Sequence, residues 1–285
     1  MPMTIENIRA VYASELKFTT RMRSGRLEAA FAKVPRENFV GPGPWQIKSP
    51  WELAGYWTTE DADPRHVYHD VLIALDAARG INNGQPSLWA YVFDGLDVHE
   101  GEEIIHLGCG TGYYTAILAE LAGPAGKVLA IDVEPSLAER ARAALAPWPQ
   151  VSVSHADGAH MTLPPADVIV ASAGATHPQL AWLDAIKIGG RLLFPMTVTH
   201  GPGGMLLATR KTPTTFAARF LSSAAFISFS GARDEKIGKR LLKAFRNDRG
   251  ANVRSLRCDA HVEDETCWLH GEGWCLSCRG VGEVR

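Results

Sequence analysis

The fold is decided by the segment Ile104-Ile105-His106-Leu107-Gly108-Cys109-Gly110-Thr111-Gly112-Tyr113. An apolar run of strand character leads into three glycines at alternate positions, and a helical pattern begins directly after them. Glycine turns the chain sharply and lets the backbone approach a ligand more closely than any Cβ would allow. Open α/β sheets form their ligand crevice at such a strand end, so this loop predicts a binding site. The alternative is a glycine-rich turn that binds nothing.

Apolar runs alternate with helical patterns on both sides of this loop, which is typical of βαβ units and a parallel sheet. The predicted strands are Glu103–Leu107, Lys127–Asp132, Val151–His155, Asp167–Ser172 and Arg191–Met196, and the predicted helices are Tyr113–Leu121, Pro135–Leu145 and Pro178–Ile186. Two more strand-like runs, Met205–Lys211 and Ala218–Phe229, follow without a helix between them. The predicted fold class is therefore α/β, a mostly parallel sheet with an antiparallel edge.

The rest of the chain suggests two additions to this sheet. Residues 1–80 predict an N-terminal helical and loop segment that packs on the core, and residues 81–230 predict the ligand-binding domain. Residues 231–285 form a C-terminal extension that is rich in cysteine and tryptophan and contains a helix-like run at Lys236–Phe245.

Composition and charge exclude several function classes. The 285 residues contain 29 Lys and Arg against 31 Asp and Glu, so no excess positive charge is available to bind nucleic acid or an anionic membrane. Glu6 and Arg9 interrupt the stretch where a signal peptide needs a continuous apolar region. The five cysteines are an odd number and do not resemble a secreted disulfide framework. A cytoplasmic protein is the expectation.

Two acidic positions at predicted strand ends suggest a nucleoside ligand. Asp132 ends the strand after the glycine loop, where a carboxylate can accept both hydroxyl protons of a ribose, although it also precedes a helix that it could cap. Asp157-Gly158 follows the next strand and could accept from an adenine amine or form a simple turn. The spacing G-x-G-x-G differs from the dinucleotide fingerprint G-x-G-x-x-G, which disfavours an oxidoreductase.

In this order, these elements resemble the nucleoside-binding motifs of class I S-adenosylmethionine-dependent methyltransferases. The segment Val34-Pro35-Arg36-Glu37-Asn38-Phe39-Val40 resembles the VPRE-x-FV segment of protein-L-isoaspartate O-methyltransferases, and Tyr68–Ile73 resembles the segment before that family's active-site loop. Gln85-Pro86 resembles the end of the loop itself. The resemblance extends from about Leu27 to Lys211.

The resemblance implies a Rossmann-like class I methyltransferase fold, S-adenosylmethionine as the cofactor and S-adenosylhomocysteine as its product. It places cofactor binding at His106, Gly108, Cys109, Gly110, Gly112, Asp132, Asp157 and Gly158. It places the methyl acceptor over the loop formed by Asn83, Gly84, Gln85, Pro86 and Ser87.

Two positions depart from the family pattern. Gly84 stands where the family carries a serine implicated in the acceptor site. Ser87 lies just beyond, but on an extended chain its side chain would point elsewhere, so the role is not transferred to it. Restoring the hydroxyl with Gly84→Ser is expected to raise isoaspartyl methylation if its loss alone limits activity and if Gly84 does not need a positive φ. His106 stands where many methyltransferases carry an acidic residue.

The sequence does not identify a catalytic residue. A carboxylate acceptor is already anionic at pH 7 and needs no general base. A hydroxyl or amine acceptor would need one, and the candidates are His69, His155, His160 and His177. His177 is the first of these, because its loop follows the predicted strand Asp167–Ser172. The alternative is a solvated loop histidine before a helix that begins at Pro178.

The C-terminal tail contains Cys258, Cys267, Cys275 and Cys278 with His261 and His270 between them. Only Cys275-x-x-Cys278 has a spacing common in zinc sites. The favoured interpretation is a tail of buried free thiols, so no metal ligand is predicted.

Three functions remain open at this point. The first is methylation of an isoaspartyl-type carboxylate, and the second is methylation of another peptide or small-molecule acceptor. The third is a non-catalytic module that binds S-adenosylmethionine. The sequence does not indicate the oligomeric state.

Overall fold

A computed structural model describes residues 3–49, 55–199 and 201–283. Its α-helices are α1 (Ile5–Thr20), α2 (Gly25–Lys33), α3 (Pro86–Leu96), α4 (Tyr113–Ala122), α5 (Pro135–Ala144), α6 (Leu180–Ala185) and α7 (Glu235–Asp248). Its strands are β1 (Gln46–Lys48), β2 (Trp57–Thr58), β3 (Leu72–Asp76), β4 (Ile81–Asn82), β5 (Glu103–Leu107), β6 (Lys127–Asp132), β7 (Val151–His155), β8 (Ala166–Ala171), β9 (Ile186–Thr197), β10 (Gly203–Arg210), β11 (Thr215–Ser223), β12 (Ser255–Arg257), β13 (Cys267–Gly271) and β14 (Trp274–Ser277).

Several helices begin where the sequence supplies a cap. The side chains of Thr4, Ser24 and Asp234 each accept a hydrogen bond from a backbone N–H in the first turn of α1, α2 and α7. These bonds satisfy donors that have no partner inside the helix. Helices α3 and α5 begin with Pro86 and Pro135, whose fixed φ suits the first helical position.

The described residues group into two compact units. The first comprises the described parts of Met1–Gly101 and Cys109–His155, and the second those of Glu102–Gly108 and Ala156–Arg285. This grouping crosses the predicted boundaries at residues 80 and 230. Two compact units do not establish which parts of the chain fold independently. The division of the chain at residues 80 and 230 therefore stays a prediction.

The first unit contains a small antiparallel sheet, ordered β2-β1-β3-β4, and the parallel pair β6 and β7. Its helices α1, α2 and α4 bury an aromatic cluster in which the Tyr12 ring lies 6.3 Å from Phe31 and 5.5 Å from Tyr68. Nine of the ten residues of α4 are buried, so this helix is a central element of the unit.

The second unit is built on a run of strands ordered β13-β14-β12-β11-β10-β9-β8-β5. Strands β5, β8 and β9 are parallel, and every later pair is antiparallel. Most residues of β8, and all residues of β9 from Leu192 to Thr197, are buried, as expected for strands covered on both faces. The α/β class with an antiparallel edge is confirmed, and this edge continues through five strands.

Strands β5, β6 and β7 have the predicted bounds, whereas the other predicted strands and helices differ from the structure by one or more residues at one or both ends. The helix predicted at Pro178–Ile186 ends at Ala185, because Ile186 already pairs with Ala166 in the sheet. Strand β9 therefore begins before the predicted Arg191. Strand β11 ends at Ser223 instead of continuing to Phe229, whose backbone N–H donates to the carbonyl of Gly174.

Among the described residues, no helix is both long enough and apolar enough to span a membrane.

Candidate active site

The glycine loop after β5 has the conformation that its sequence predicts. Gly108, Gly110 and Gly112 have φ of 68°, 58° and 95°, in the left-handed region that favours glycine. A Cβ on Gly112 would lie 2.7 Å from Cδ1 of Leu145, so no larger residue fits there without a shift. A Cβ on Gly110 would meet only Leu75 within 4 Å, at 3.6 Å. The loop is therefore packed on one side and open beside Gly110.

Asp132, at the end of β6, lies against this loop. Its Oδ2 accepts a hydrogen bond from the backbone N–H of Gly110 at 2.7 Å, and its Oδ1 accepts one from Glu134 at 2.9 Å. Burial raises the pKa of the carboxyl, and the two backbone donors oppose this effect. Each carboxylate oxygen has a second lone pair, so Asp132 can accept two further hydrogen bonds.

Cys109 lies between Gly108 and Gly110 in the glycine loop and is buried. Its backbone N–H donates to the carbonyl of Ile131 at 3.1 Å, which fixes the loop to the end of β6. Burial, followed by the nearby Asp132, raises the pKa of the thiol. Cys109 is therefore a neutral packing residue.

His106 belongs to the second unit, on β5. Its Nε2 lies 2.7 Å from Oγ of Ser172, which follows the neighbouring strand β8. Burial lowers the pKa of the imidazole to about 3, so the ring is neutral at pH 7. The position that carries an acidic residue in many methyltransferases is uncharged in this chain.

Asp157 and Gly158 lie in the second unit, directly after β7. The Asp157 carboxylate accepts from the backbone N–H of Ala159 at 2.9 Å and lies 2.8 Å from Nδ1 of His160. Partial burial would raise the pKa of Asp157, but the bonds from His160 and Ala159 lower it overall. Gly158 packs closely, because a Cβ there would lie 3.0 Å from Cδ2 of Leu107. Asp157 is thus a partly exposed, ionised acceptor.

The predicted acceptor loop, residues 83–87, lies in the first unit before α3. Gly84 has a φ of 76°, and a Cβ on it would lie 2.5 Å from Nε1 of Trp89. Its carbonyl accepts a hydrogen bond from the Tyr114 hydroxyl at 3.1 Å. Serine cannot adopt this conformation without strain and a close contact, so the expected gain from Gly84→Ser is not supported.

Arg36, from the segment that resembles VPRE-x-FV, holds this loop in place. The side chain is fully buried and donates to the carbonyls of Val67, His69 and Val71 at 2.8–2.9 Å. It also donates to Oδ1 of Asn83 at 3.1 Å. The Nδ2 of Asn83 is buried and has no hydrogen-bond partner. One guanidinium therefore connects three segments that the sequence analysis identified separately.

The remaining loop residues are fixed by Asp70. Its carboxylate accepts from the backbone N–H of Ser87 at 2.8 Å and from Nε2 of Gln85 at 3.0 Å. Ser87 Oγ accepts a second bond from Gln85 at 3.2 Å, and Pro86 begins α3. A carboxylate at a helix N-terminus is favoured by the helix dipole. No role of Asp70 follows from the sequence, although this residue belongs to the Tyr68–Ile73 segment.

His177 lies in the second unit on the loop after β8, as predicted, but it is not the solvated histidine of the alternative interpretation. Its ring stacks on Trp274 with centroids 5.9 Å apart, and Nδ1 lies 2.9 Å from Oγ1 of Thr176. Burial lowers the pKa of the imidazole, and the charge of Asp234 opposes the shift. Trp274 comes from the C-terminal extension, a contact that no sequence signal indicated.

The structure thus brings Gly110 and Asp132 into direct contact and fixes residues 83–87 in one loop. The missed residues are Arg36, Tyr114, Asp70 and Trp274. Arg36, Tyr114 and Trp274 support the predicted residues through buried side chains, and Asp70 does so through hydrogen bonds at the surface. Arg36 was visible in the quoted segment, but only three-dimensional contacts reveal its partners.

Comparisons with known proteins agree on one family. A family model described as protein-L-isoaspartate(D-aspartate) O-methyltransferase matches residues 11–234. Over 204 residues the chain is 33% identical to the protein-L-isoaspartate O-methyltransferase of Ignicoccus hospitalis, covering 70% of this chain and 85% of the relative. It is 30% identical over 207 residues to protein-L-isoaspartate O-methyltransferase 1 of Rhodopseudomonas palustris, covering 71% and 75%.

Two solved structures show the same fold. A protein-L-isoaspartate O-methyltransferase matches with a TM-score of 0.62 at 21% identity, over 82% of this chain and 69% of the other. A candidate member of that family from Plasmodium falciparum, in complex with S-adenosyl-L-homocysteine, matches with a TM-score of 0.62 at 15% identity, over 78% and 98%. The predicted Rossmann-like methyltransferase fold is thereby confirmed.

Proposed function

This chain belongs to the protein-L-isoaspartate(D-aspartate) O-methyltransferase family, and from this premise we propose that it methylates isoaspartyl carboxylates in peptides or proteins with S-adenosylmethionine. The observation that carries the proposal is the family match over residues 11–234, which includes both the glycine loop and the acceptor loop.

The glycine loop and Asp132 fit the nucleoside part of the cofactor. The backbone beside Gly110 has space that a side chain would otherwise fill, and Asp132 is fixed there with two unused lone pairs. We propose that Asp132 accepts hydrogen bonds from the ribose hydroxyls and that Gly108, Cys109, Gly110 and Gly112 present their backbone to the cofactor. Charge-assisted bonds of this kind are among the stronger ones in proteins.

Asp157, Gly158 and His106 complete the proposed cofactor set. Asp157 is ionised and partly exposed, so its carboxylate can accept from the adenine amine. His106 is neutral, so the protein provides no charge at that position to attract the cofactor's ammonium group. Its proposed contribution is to shape the site together with Ser172.

The reaction requires orientation rather than proton transfer. When bound, S-adenosylmethionine would supply a methyl group on a positively charged sulfur. The carboxylate oxygen would form the new bond to the methyl carbon, and the sulfur would keep the electron pair of the carbon–sulfur bond that breaks. The isoaspartyl carboxylate is anionic at pH 7, so no residue of the chain has to remove a proton from it. The protein must align the acceptor and exclude water. We assign this task to residues 83–87, which Arg36, Tyr114 and Asp70 hold rigidly.

A second function, methylation of a hydroxyl or amine, is favoured by one observation. His177 is half-buried with a lowered pKa, so at pH 7 its imidazole is neutral and could accept a proton. Under this alternative, His177→Ala abolishes methylation and the rate of the wild type falls below the histidine pKa. Under the main proposal, His177→Ala retains isoaspartyl methylation.

The main proposal is tested with labelled S-adenosylmethionine and a matched pair of peptides that differ only in isoaspartate or aspartate. We expect base-labile label on the isoaspartyl peptide and none above background on its partner. Asp132→Ala should reduce labelling through weaker cofactor binding. Glu134→Ala is the control, because the Glu134 side chain is only partly exposed but pairs with Arg79 and not with Asp132. If neither peptide is labelled while calorimetry shows binding of S-adenosylhomocysteine, the isoaspartyl proposal is wrong and a different acceptor or a binding module is indicated.

We also propose a cytoplasmic location, because the five cysteines are free and that compartment keeps thiols reduced. Cells are lysed directly into denaturant that contains an alkylating reagent and a chelator, so that buried or metal-bound thiols also react. Mass spectrometry should then find all five thiols modified; oxidised cysteines would contradict the location.

A further inference from the structure

Four side chains of the types that ligate metal ions lie close together in the C-terminal extension. His261, Cys267, His270 and Cys275 offer one ligand atom each, and these four atoms lie within 4.8 Å of one another. We propose that they bind one zinc ion with tetrahedral Cys2His2 coordination, which is a common composition of structural zinc sites. All four residues lie beyond residue 234, outside the family match.

A β-bulge brings three of these residues to one face of the sheet. In a regular strand, Cys267 and His270 would point to opposite faces, because they are three residues apart. Cys267 pairs with Ser277 and Leu269 pairs with Leu276, so β13 contains one extra residue between those pairs. His270 then pairs with Cys275, and Cys267, His270 and Cys275 share a face. Bulges often redirect side chains at functional sites.

His261 comes from the loop before β13 and is oriented for coordination. Its Nδ1 lies 2.9 Å from the carbonyl oxygen of Asp259. A carbonyl only accepts hydrogen bonds, so Nδ1 carries the proton and Nε2 has a free lone pair. That Nε2 lies 3.6 Å from Sγ of Cys267. Zinc-bound histidines characteristically donate their other ring N–H to a carbonyl or carboxylate.

The other ligands have matching features. Nδ1 of His270 is buried and has no hydrogen-bond partner, a costly state that a metal bond would relieve. The backbone N–H of Asp264 donates to Sγ of Cys267 at 3.4 Å, which helps to orient this sulfur. Cys275 is fully buried. Two thiolates and two neutral imidazoles would balance the two charges of the ion.

The distances are compatible with a tetrahedral ion. Zinc bonds of about 2.3 Å to sulfur and about 2.0–2.1 Å to nitrogen place neighbouring tetrahedral ligands roughly 3.3–3.8 Å apart. The Cys267–His261 separation of 3.6 Å already lies in this range, and the largest separation in the group is 4.8 Å. Contraction of about 1 Å would complete the site.

The ion would have a structural role, because four protein ligands leave no open position for a substrate or water. It would join the His261 loop to the β13–β14 hairpin. Trp274, next to Cys275 in that hairpin, stacks on His177. A metal at this point would therefore also stabilise the loop that carries His177.

The proposed zinc site does not use the Cys275-x-x-Cys278 pair, whose spacing is common in zinc sites. Cys278, the partner of Cys275 in the Cys-x-x-Cys pair, is exposed and is not a member of the group. It therefore provides a matched control, since Cys278→Ser removes a nearby thiol without removing a ligand.

The test measures metal in the full-length protein, purified without chelators. Inductively coupled plasma mass spectrometry should find about one zinc per chain in the wild type and in Cys278→Ser, and far less in Cys267→Ser and Cys275→Ser. Removal of zinc from the wild type with a strong chelator should lower the Tm, and stoichiometric zinc should restore it. Cobalt added to the stripped wild type should give the visible absorption bands of a tetrahedral thiolate site, a readout that does not depend on a variant folding.

Three outcomes would overturn the proposal. The first is a wild type that contains no zinc and shows no change in Tm or cobalt spectrum on titration. The second is a disulfide between Cys267 and Cys275 in the freshly isolated protein. The third is equal loss of metal from Cys278→Ser and from the two ligand variants.

Discussion

Gly84→Ala should destabilise the protein more than the same substitution at Gly80, although both glycines have positive φ. At Gly80, φ is 69° and a Cβ would meet nothing within 4 Å, so only backbone strain is introduced. That strain costs about 1–2 kcal/mol, partly offset by about 0.4–1 kcal/mol from a less flexible unfolded chain. Gly80→Ala should therefore lower the free energy of unfolding by about 1 kcal/mol.

Gly84→Ala adds a steric conflict to the same strain. The new Cβ would lie 2.5 Å from Nε1 of Trp89, whose ring is 1% exposed and packs 5.0 Å from Tyr114 and 5.2 Å from Phe93. Trp89 cannot move freely, and overpacking of this kind costs about 1–3 kcal/mol. The total loss should reach about 2–4 kcal/mol.

Urea unfolding of the wild type and both variants, followed by tryptophan fluorescence, measures these differences. Equal losses at the two positions would refute the close packing around Gly84. The same reasoning predicts that Gly84→Ser does not increase isoaspartyl methylation, because the serine side chain would displace the loop that has to orient the acceptor. A clear gain in kcat/KM for Gly84→Ser would contradict it.

Three further predictions concern other parts of the molecule. Asp132→Ala should weaken S-adenosylhomocysteine binding by about 1.5–3 kcal/mol, roughly 10- to 150-fold, in calorimetry, whereas the Glu134→Ala control should leave the affinity unchanged. The pKa of His106 is lowered to about 3 in the folded protein and is about 6.5 in the unfolded chain. The stability that the neutral imidazole contributes is therefore complete above a pH of about 6.5 and is lost as the pH falls towards 3. Between pH 7 and 5 the wild type should therefore lose about 2 kcal/mol more unfolding free energy than His106→Asn, and parallel pH profiles would count against this. Trp274→Ala should cost about 3–5 kcal/mol in urea unfolding because the ring is buried against His177, while Trp57→Ala, at an exposed ring, should cost less than about 1 kcal/mol.

Much of the parallel part of the fold could be predicted from sequence, because its signals are local. The run from Ile104 to Tyr113 contains a strand, a turn that requires glycine and a helix start, and β5 has the predicted bounds. Strands β6 and β7 are bounded in the same way by turn residues. The start of β9 was missed because Gly189 and Gly190 predict a break, whereas the strand continues through them with an irregular register.

The sequence predicts the motifs of the site but not the side-chain contacts that hold these motifs in place. Gly110 and Asp132 lie where the strand ends place them, but the contacts of Arg36 join residues 31 to 47 positions apart in the chain and leave no local pattern. The C-terminal cluster was hidden for a different reason. An extra residue in β13 reverses which side chains share a face, so the spacing of Cys267 and His270 does not indicate that they meet.

The central claim is that this chain methylates isoaspartyl residues despite Gly84. It is tested most directly by incubating the purified protein with S-adenosylmethionine and an equimolar mixture of an isoaspartyl peptide and its aspartyl isomer, distinguished by an isotope label. Tandem mass spectrometry then locates any methyl group. We predict one methyl ester, on the free α-carboxylate of the isoaspartyl residue and on no other position. Methylation of both isomers alike, or of neither while the protein binds S-adenosylhomocysteine, would contradict the claim.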